Sequence, residues 1–193
     1  MLSLIFAQLD PQDLFRLGCT SKCMHHMIVN HPSGWPSSSL SGGGCYTPFL
    51  PEGLRWSGRI LCGLRSVDLS WSSALVASEL TPLLDSTRAL QGLTSLDLRG
   101  LPLLEDPGVL HGLPASSLLR LLLSNSGLAL DLALADSLCR FTRLTCLHLG
   151  SLRYCSETRS CLDSLSRSLP ALQDLSLAGC TKLQDYDLFS SLA

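Results

Sequence analysis

Along the C-terminal two-thirds of the chain, apolar residues recur in one short motif: apolar, two residues, apolar, one residue, apolar. It begins at Leu64 (then Val67, Leu69), Leu93 (Leu96, Leu98), Leu118 (Leu121, Leu123), Leu144 (Leu147, Leu149) and Leu172 (Leu175, Leu177). The steps between starts are 29, 25, 26 and 28 residues. Alternation within each motif predicts a short strand with its fourth and sixth positions on one side and its third, fifth and seventh on the other. Between motifs the period becomes helical. Val76, Leu80, Leu83 and Leu84 share one face, as do Leu134, Leu138 and Phe141, and then Leu162, Leu165 and Leu169. The second interval holds only a stub, with Asp106 as cap, Pro107 in the first turn, and Val109, Leu110 and Leu113 before Pro114.

Five motifs in phase at this period are the pattern of leucine-rich repeats. One strand and one helix cannot bury their own apolar face, so neighbours must stack. The expected fold is α/β: a leucine-rich repeat solenoid over residues 60–193, a curved parallel sheet with helices outside. In the last motif Cys180, Leu183 and Asp185 resemble the cysteine-containing class of these repeats. Leu101, Leu104 and Asp106 match it in part, while Ser72, Ser126 and Leu152 depart from it. A helix beginning at Tyr186 has only about two turns before Ala193. That short end, like the short beginning noted below, raises the expectation of a fragment or an alternative isoform.

Residues 1–35 follow a different grammar. A helix through Leu9 is followed by Asp10 as cap and Pro11 in the next first turn, with Asp13 at the positive end of that helix. Gly18 ends the second helix and Thr20 or Ser21 starts a third, so that Leu9, Leu14, Leu17, Met24 and Met27 join three short helices. So short a unit needs a partner or the solenoid for stability. Residues 33–53 are rich in Ser, Gly and Pro around Gly42-Gly43-Gly44, which reads as a flexible linker. The expected division is a helical module at 1–35, linker and irregular cap at 36–59, and solenoid from 60 onward.

Ile5-Phe6, Leu9, Asp10-Pro11, Asp13-Leu14, Arg16-Leu17 and Ser21-Lys22, followed by Pro32 and Trp35, resemble an F-box. The resemblance implies a small all-α module that docks on the adaptor subunit of SCF-type cullin–RING ubiquitin ligases. Ile5, Phe6, Leu9, Pro11, Leu14 and Leu17 fall at the positions expected to face or support the adaptor. The family's opening Leu-Pro would precede Met1, which shortens the first helix, and Cys23 stands where the family usually has tryptophan. An F-box ahead of leucine-rich repeats is similar to one class of substrate receptors. It implies a non-catalytic subunit, joined through the adaptor to cullin, that holds a protein target for ubiquitination and proteasomal degradation. The alternative is a leucine-rich-repeat scaffold with no ligase role.

Composition narrows the chemistry. Leucine makes up about a quarter of the chain, and the formal net charge is -2 with no basic stripe, against a nucleic-acid footprint. The most apolar stretch, Leu118 to Leu138, is broken by Arg120, Asn125, Asp131 and Asp136, so no membrane span is expected. The apolar N-terminus lacks a basic region, which argues against a signal peptide. Nine cysteines without a Cys-x-x-Cys pair fit reduced thiols packed as small hydrophobes, hence a cytoplasmic or nuclear setting.

No cofactor or metal is expected. Cys19, Cys23, His25 and His26 match no common zinc spacing and read as packing residues beside a solvated histidine pair. Cys146 and His148 share a strand face, with Asp174 on the neighbouring strand, which opens a third, hydrolytic reading. The expected recognition surface is the concave strand face: Ser66, Asp68, Asp97, Arg99, Arg120, Leu122, His148 and Asp174, with Trp71 at the rim.

Overall fold

The computed structural model describes residues 39–41, 65–73, 75–84, 90–155 and 158–180. Each motif forms a three-residue strand: β2 (Ser66–Asp68), β3 (Ser95–Asp97), β4 (Arg120–Leu122), β6 (Cys146–His148) and β8 (Asp174–Ser176). All pair in parallel as successive neighbours behind an edge strand, β1 (Ser39–Ser41), in the order β1-β2-β3-β4-β6-β8. The residues of the apolar motif face inward together. Val67, Leu96, Leu121 and Leu147, and next to them Leu69, Leu98, Leu123 and Leu149, are all buried in one core cluster.

The backbone is satisfied in the same repeating way. The carbonyl of Arg65 accepts from both Thr94 and Ser95 N–H, that of Thr94 from Leu119 and Arg120, that of Leu119 from Thr145 and Cys146, and that of Thr145 from Gln173 and Asp174. Beyond the strands the ladder continues through Leu69 to Asp97, Leu98 to Leu122, Leu123 to His148 and Leu149 to Ser176, at 2.8–2.9 Å. Each repeat therefore supplies the next with partners that it cannot supply to itself.

The connecting segments return as α1 (Ala77–Leu84), a 3₁₀ helix (Pro107–Gly112), α2 (Leu132–Leu138) and α3 (Thr158–Ser168). They pack on one another in that order. The expected helical faces are buried at Leu80 and Leu84, at Leu134, Leu138 and Phe141, and at Leu162, Leu165 and Leu169. In the shortest interval Asp106 accepts from Gly108 N–H at 2.8 Å, and the short 3₁₀ helix ends ahead of Pro114. Asp131 caps α2 by accepting from Leu134 N–H at 2.9 Å.

Three features extend the sequence reading. Ser39–Ser41, inside the segment read as linker, forms β1 and pairs in parallel with β2, placing Leu40 opposite Val67. Ser-Leu-Ser repeats the polar–apolar–polar order of Ser66-Val67-Asp68, but Gly and Pro on either side hide it. A second ladder joins β5 (Ala129–Leu130) to β7 (Tyr154–Cys155). Finally, Trp71, Gly100, Asn125, Ser151 and Gly179, each three residues past a strand, all have φ between 52° and 76°. A left-handed residue is thus part of every repeat, and Trp71 and Ser151 adopt it despite the Cβ cost.

Gly100 is where that cost is least tolerable, because a Cβ there would lie 2.3 Å from Trp71 Cε3. Gly100→Ala is expected to lower stability by about 1–2 kcal/mol in chemical denaturation and to change the emission contributed by Trp71, with Trp71→Phe as reference. Ser72 and Ser126 occupy the slot held by Leu101, Leu152 and Cys180, and their buried hydroxyls have no hydrogen-bond partner among the described residues. Ser126→Ala is expected to raise stability by about 1 kcal/mol in the same measurement.

Candidate functional site

Ile5, Phe6, Leu9, Pro11, Leu14 and Leu17, like Cys19, Cys23, His25 and His26, lie outside the described residues. The strand-face residues lie within them. Register aligns one row as Ser66, Ser95, Arg120, Cys146 and Asp174, and a second as Asp68, Asp97, Leu122, His148 and Ser176. Both rows stand on the side of the sheet opposite the leucine core, as the alternation requires.

Presentation along that face is uneven. Arg120 and Asp174 are exposed, His148, Asp68 and Arg99 half-buried, and Trp71 is 52% exposed over Gly100. Asp97 and Leu122, expected to face a partner openly, are only 8% and 4% exposed. Parallel strands sit roughly 4.8 Å apart, so a compact side chain in the middle of a row is flanked on both sides, whereas the long Arg120 reaches past its neighbours. Asp97 is also closed over by its own strand. Both its oxygens accept from Arg99 Nε at 2.9 and 3.0 Å, and Oδ2 accepts from Nη2 at 2.6 Å. Arg99, whose acidity is further weakened by this bond and by the Asp97 and Asp68 charges, carries the outward chemistry of the pair.

At the other end of the sheet, register places Asp174 beside Cys146, with His148 two residues on along the same strand face. One oxygen, Asp174 Oδ2, accepts from Cys146 Sγ at 3.3 Å and lies 3.2 Å from His148 Nε2. The three donor atoms lie within 4.8 Å of one another. Burial, the hydrogen bond to Asp174 and its negative charge push the Cys146 thiol up, with Arg120 opposing. Bonds from His148 and Cys146 hold the Asp174 carboxyl below its usual range. The carboxylate, not the imidazole, therefore receives the thiol proton's bond. A nucleophilic cysteine needs the reverse, a base at sulfur and a lowered pKa. The trio is together as expected, but its order does not make a thiolate–imidazolium pair.

The sequence reading missed an exposed cluster that joins the second repeat to the fourth. Arg153 pairs with Glu105 and lies 5.5 Å over the Tyr154 ring, which is exposed. Its only sequence signal is an Arg-Tyr pair after a strand, in a segment without an apolar period.

Comparison with known proteins now bears on both halves. Residues 1–35 match the F-box domain. No curated protein matches the chain by sequence. Among solved structures, the fold is similar to that of leiomodin-1 actin-binding site 2, at 16% identity and a TM-score of 0.55, covering 76% of this chain and 89% of that one. An internalin from Listeria monocytogenes is matched at 17% identity and a TM-score of 0.42, over 72% of this chain and 48% of that one. At 16% identity the likeness to the leiomodin-1 site is one of fold alone. The F-box match thus falls on the same 35 N-terminal residues that the motif reading singled out, ahead of a parallel repeat sheet. Among the described residues, no helix is long and apolar enough to cross a membrane.

The thiol environment has a measurable consequence. Asp174→Asn removes the charge that helps keep Cys146 protonated, so the pH profile for alkylation of Cys146 is expected to move to lower pH. Peptide-resolved mass spectrometry of alkylation rates reads this site apart from the other thiols.

Proposed function

We propose that the chain is a non-catalytic substrate-recognition subunit of an SCF-type cullin–RING ubiquitin ligase. The observation that carries this reading is the order of its parts: an F-box match over residues 1–35, then a parallel repeat sheet. In this reading Ile5, Phe6, Leu9, Pro11, Leu14 and Leu17 form or support the adaptor contact, and the adaptor links the chain to cullin. Residues 36–59 join that module to the solenoid, with Ser39–Ser41 already part of the sheet edge. The target is a protein held on the strand face, and ubiquitin transfer is done by other subunits. What this chain contributes is proximity, which converts an encounter into an effectively intramolecular step.

The chemistry of the face supports protein recognition. Trp71 and Arg99 stand at one end of the sheet, and Arg120, His148 and Asp174 towards the other, separated by the covered Leu122. Exposed Trp and Arg anchors carry a disproportionate share of binding energy at protein interfaces. Asp68 and Asp97 act from below by orienting Ser70 N–H and Arg99. No nucleic-acid or membrane partner is part of this reading, and the setting is the cytoplasm or nucleus.

The direct test is co-purification of the full chain with the adaptor subunit. Unmutated chain is expected to retain the adaptor, and Leu14→Asp, which puts a charge into the apolar contact, to lose it by at least about tenfold. Failure of the unmutated chain to bind would leave the scaffold reading, in which the strand face acts without a ligase.

A further inference from the structure

We propose that Cys146, His148 and Asp174 form a binding site for a single zinc-class divalent cation on the strand face. This goes beyond the receptor reading and does not depend on it.

The donor set is selective by chemistry. A thiolate and an imidazole suit zinc, and one carboxylate oxygen completes a mixed set that hard cations such as magnesium would not choose. Two of the three donor–donor distances are close to what the ion requires. Bonds of about 2.0–2.3 Å at tetrahedral angles put donor atoms roughly 3.4–3.6 Å apart. Cys146 Sγ and His148 Nε2 stand 3.3 and 3.2 Å from Asp174 Oδ2, and all three atoms lie within 4.8 Å.

Backbone architecture holds the donors in place. Cys146 and His148 belong to β6 at alternate positions, and Asp174 is fixed beside Cys146 by the parallel register of β8. Cys146, only 9% exposed, sits at the base of the site, and the exposed Asp174 stands at its outer edge. Three protein ligands leave a fourth position on the open side. Water can fill it, or a donor side chain from a protein lying on the face.

Binding must displace hydrogen-bond protons from the cluster. The Cys146 S–H bond to Asp174 breaks, its proton goes to solvent and the sulfur lone pair binds the ion. His148 gives up the Nε2 proton directed at Asp174, holds one at Nδ1 instead, and binds through the freed Nε2 as that neutral tautomer. Thiolate and carboxylate together balance the two positive charges of the ion. Arg120, opposite Cys146 on β4, favours the thiolate form, whereas Asp174 opposes it until the metal is bound. Release of the thiol proton makes apparent affinity rise by about tenfold per pH unit while the thiol is protonated in the metal-free protein.

Cobalt(II) added to the full chain is the probe, since a thiolate ligand gives a near-ultraviolet charge-transfer band and tetrahedral coordination gives intense visible bands. Unmutated chain is expected to show both at one equivalent, with zinc displacing cobalt and abolishing them. Cys146→Ser should remove the charge-transfer band, whereas Cys19→Ser with Cys23→Ser should leave it. Asp174→Asn alters an exposed side chain and so preserves the fold; it should weaken zinc at least about tenfold in chelator competition and reduce the zinc-dependent rise in Tm. Absence of the band in the unmutated chain, its survival in Cys146→Ser, or unchanged zinc affinity in Asp174→Asn would overturn the proposal.

Discussion

The structure depends on one constraint: no repeat can satisfy its own backbone or bury its own leucines. The carbonyls of Arg65, Thr94, Leu119 and Thr145 each accept two N–H groups from the next turn of the chain. The leucines that follow the same spacing fill the space between sheet and helices without a break from Val67 to Leu169. Stability is therefore of the nearest-neighbour kind, in which each interface contributes and none is dispensable. The same constraint fixes where residues differ. Only positions that face away from the neighbour-to-neighbour core are free to carry chemistry.

That freedom is spent on two rows of side chains with an uneven character. Near the first repeats, the covered Asp97 orients Arg99 and the half-buried Asp68 orients the turn at Ser70, with Trp71 standing over Gly100. Near the last repeats, Arg120, His148 and Asp174 gather around a buried thiol. A face of this kind, next to an F-box match, is the physical basis for reading the chain as a tether with a recognition surface.

Much of the fold was legible because its cause is periodic. Leucine spacing located all five strands, and helical spacing located the faces that bury Leu80, Leu134 and Leu165. Asp106 and Pro107 foretold the short helix. Parity on a strand was enough to bring Cys146, His148 and Asp174 together. What escaped has no period or depends on neighbours. Ser39–Ser41 is three residues amid breakers, and Leu40 gains its meaning only opposite Val67. The left-handed turn residue is Trp, Gly, Asn, Ser and Gly in succession, so composition alone does not mark it. Burial of Asp97 and Leu122 comes from strands on both sides, which pattern along one strand cannot show.

The central claim, that one end of the chain holds the ligase adaptor while the strand face holds targets, is tested most directly by proximity labelling from the full chain in cells. Unmutated chain should label adaptor and cullin together with a set of further proteins. Joint substitution of Arg99→Glu and Arg120→Glu should deplete the further proteins while leaving adaptor and cullin unchanged. Absence of adaptor and cullin from the unmutated profile, or a profile indifferent to the two substitutions, would contradict it.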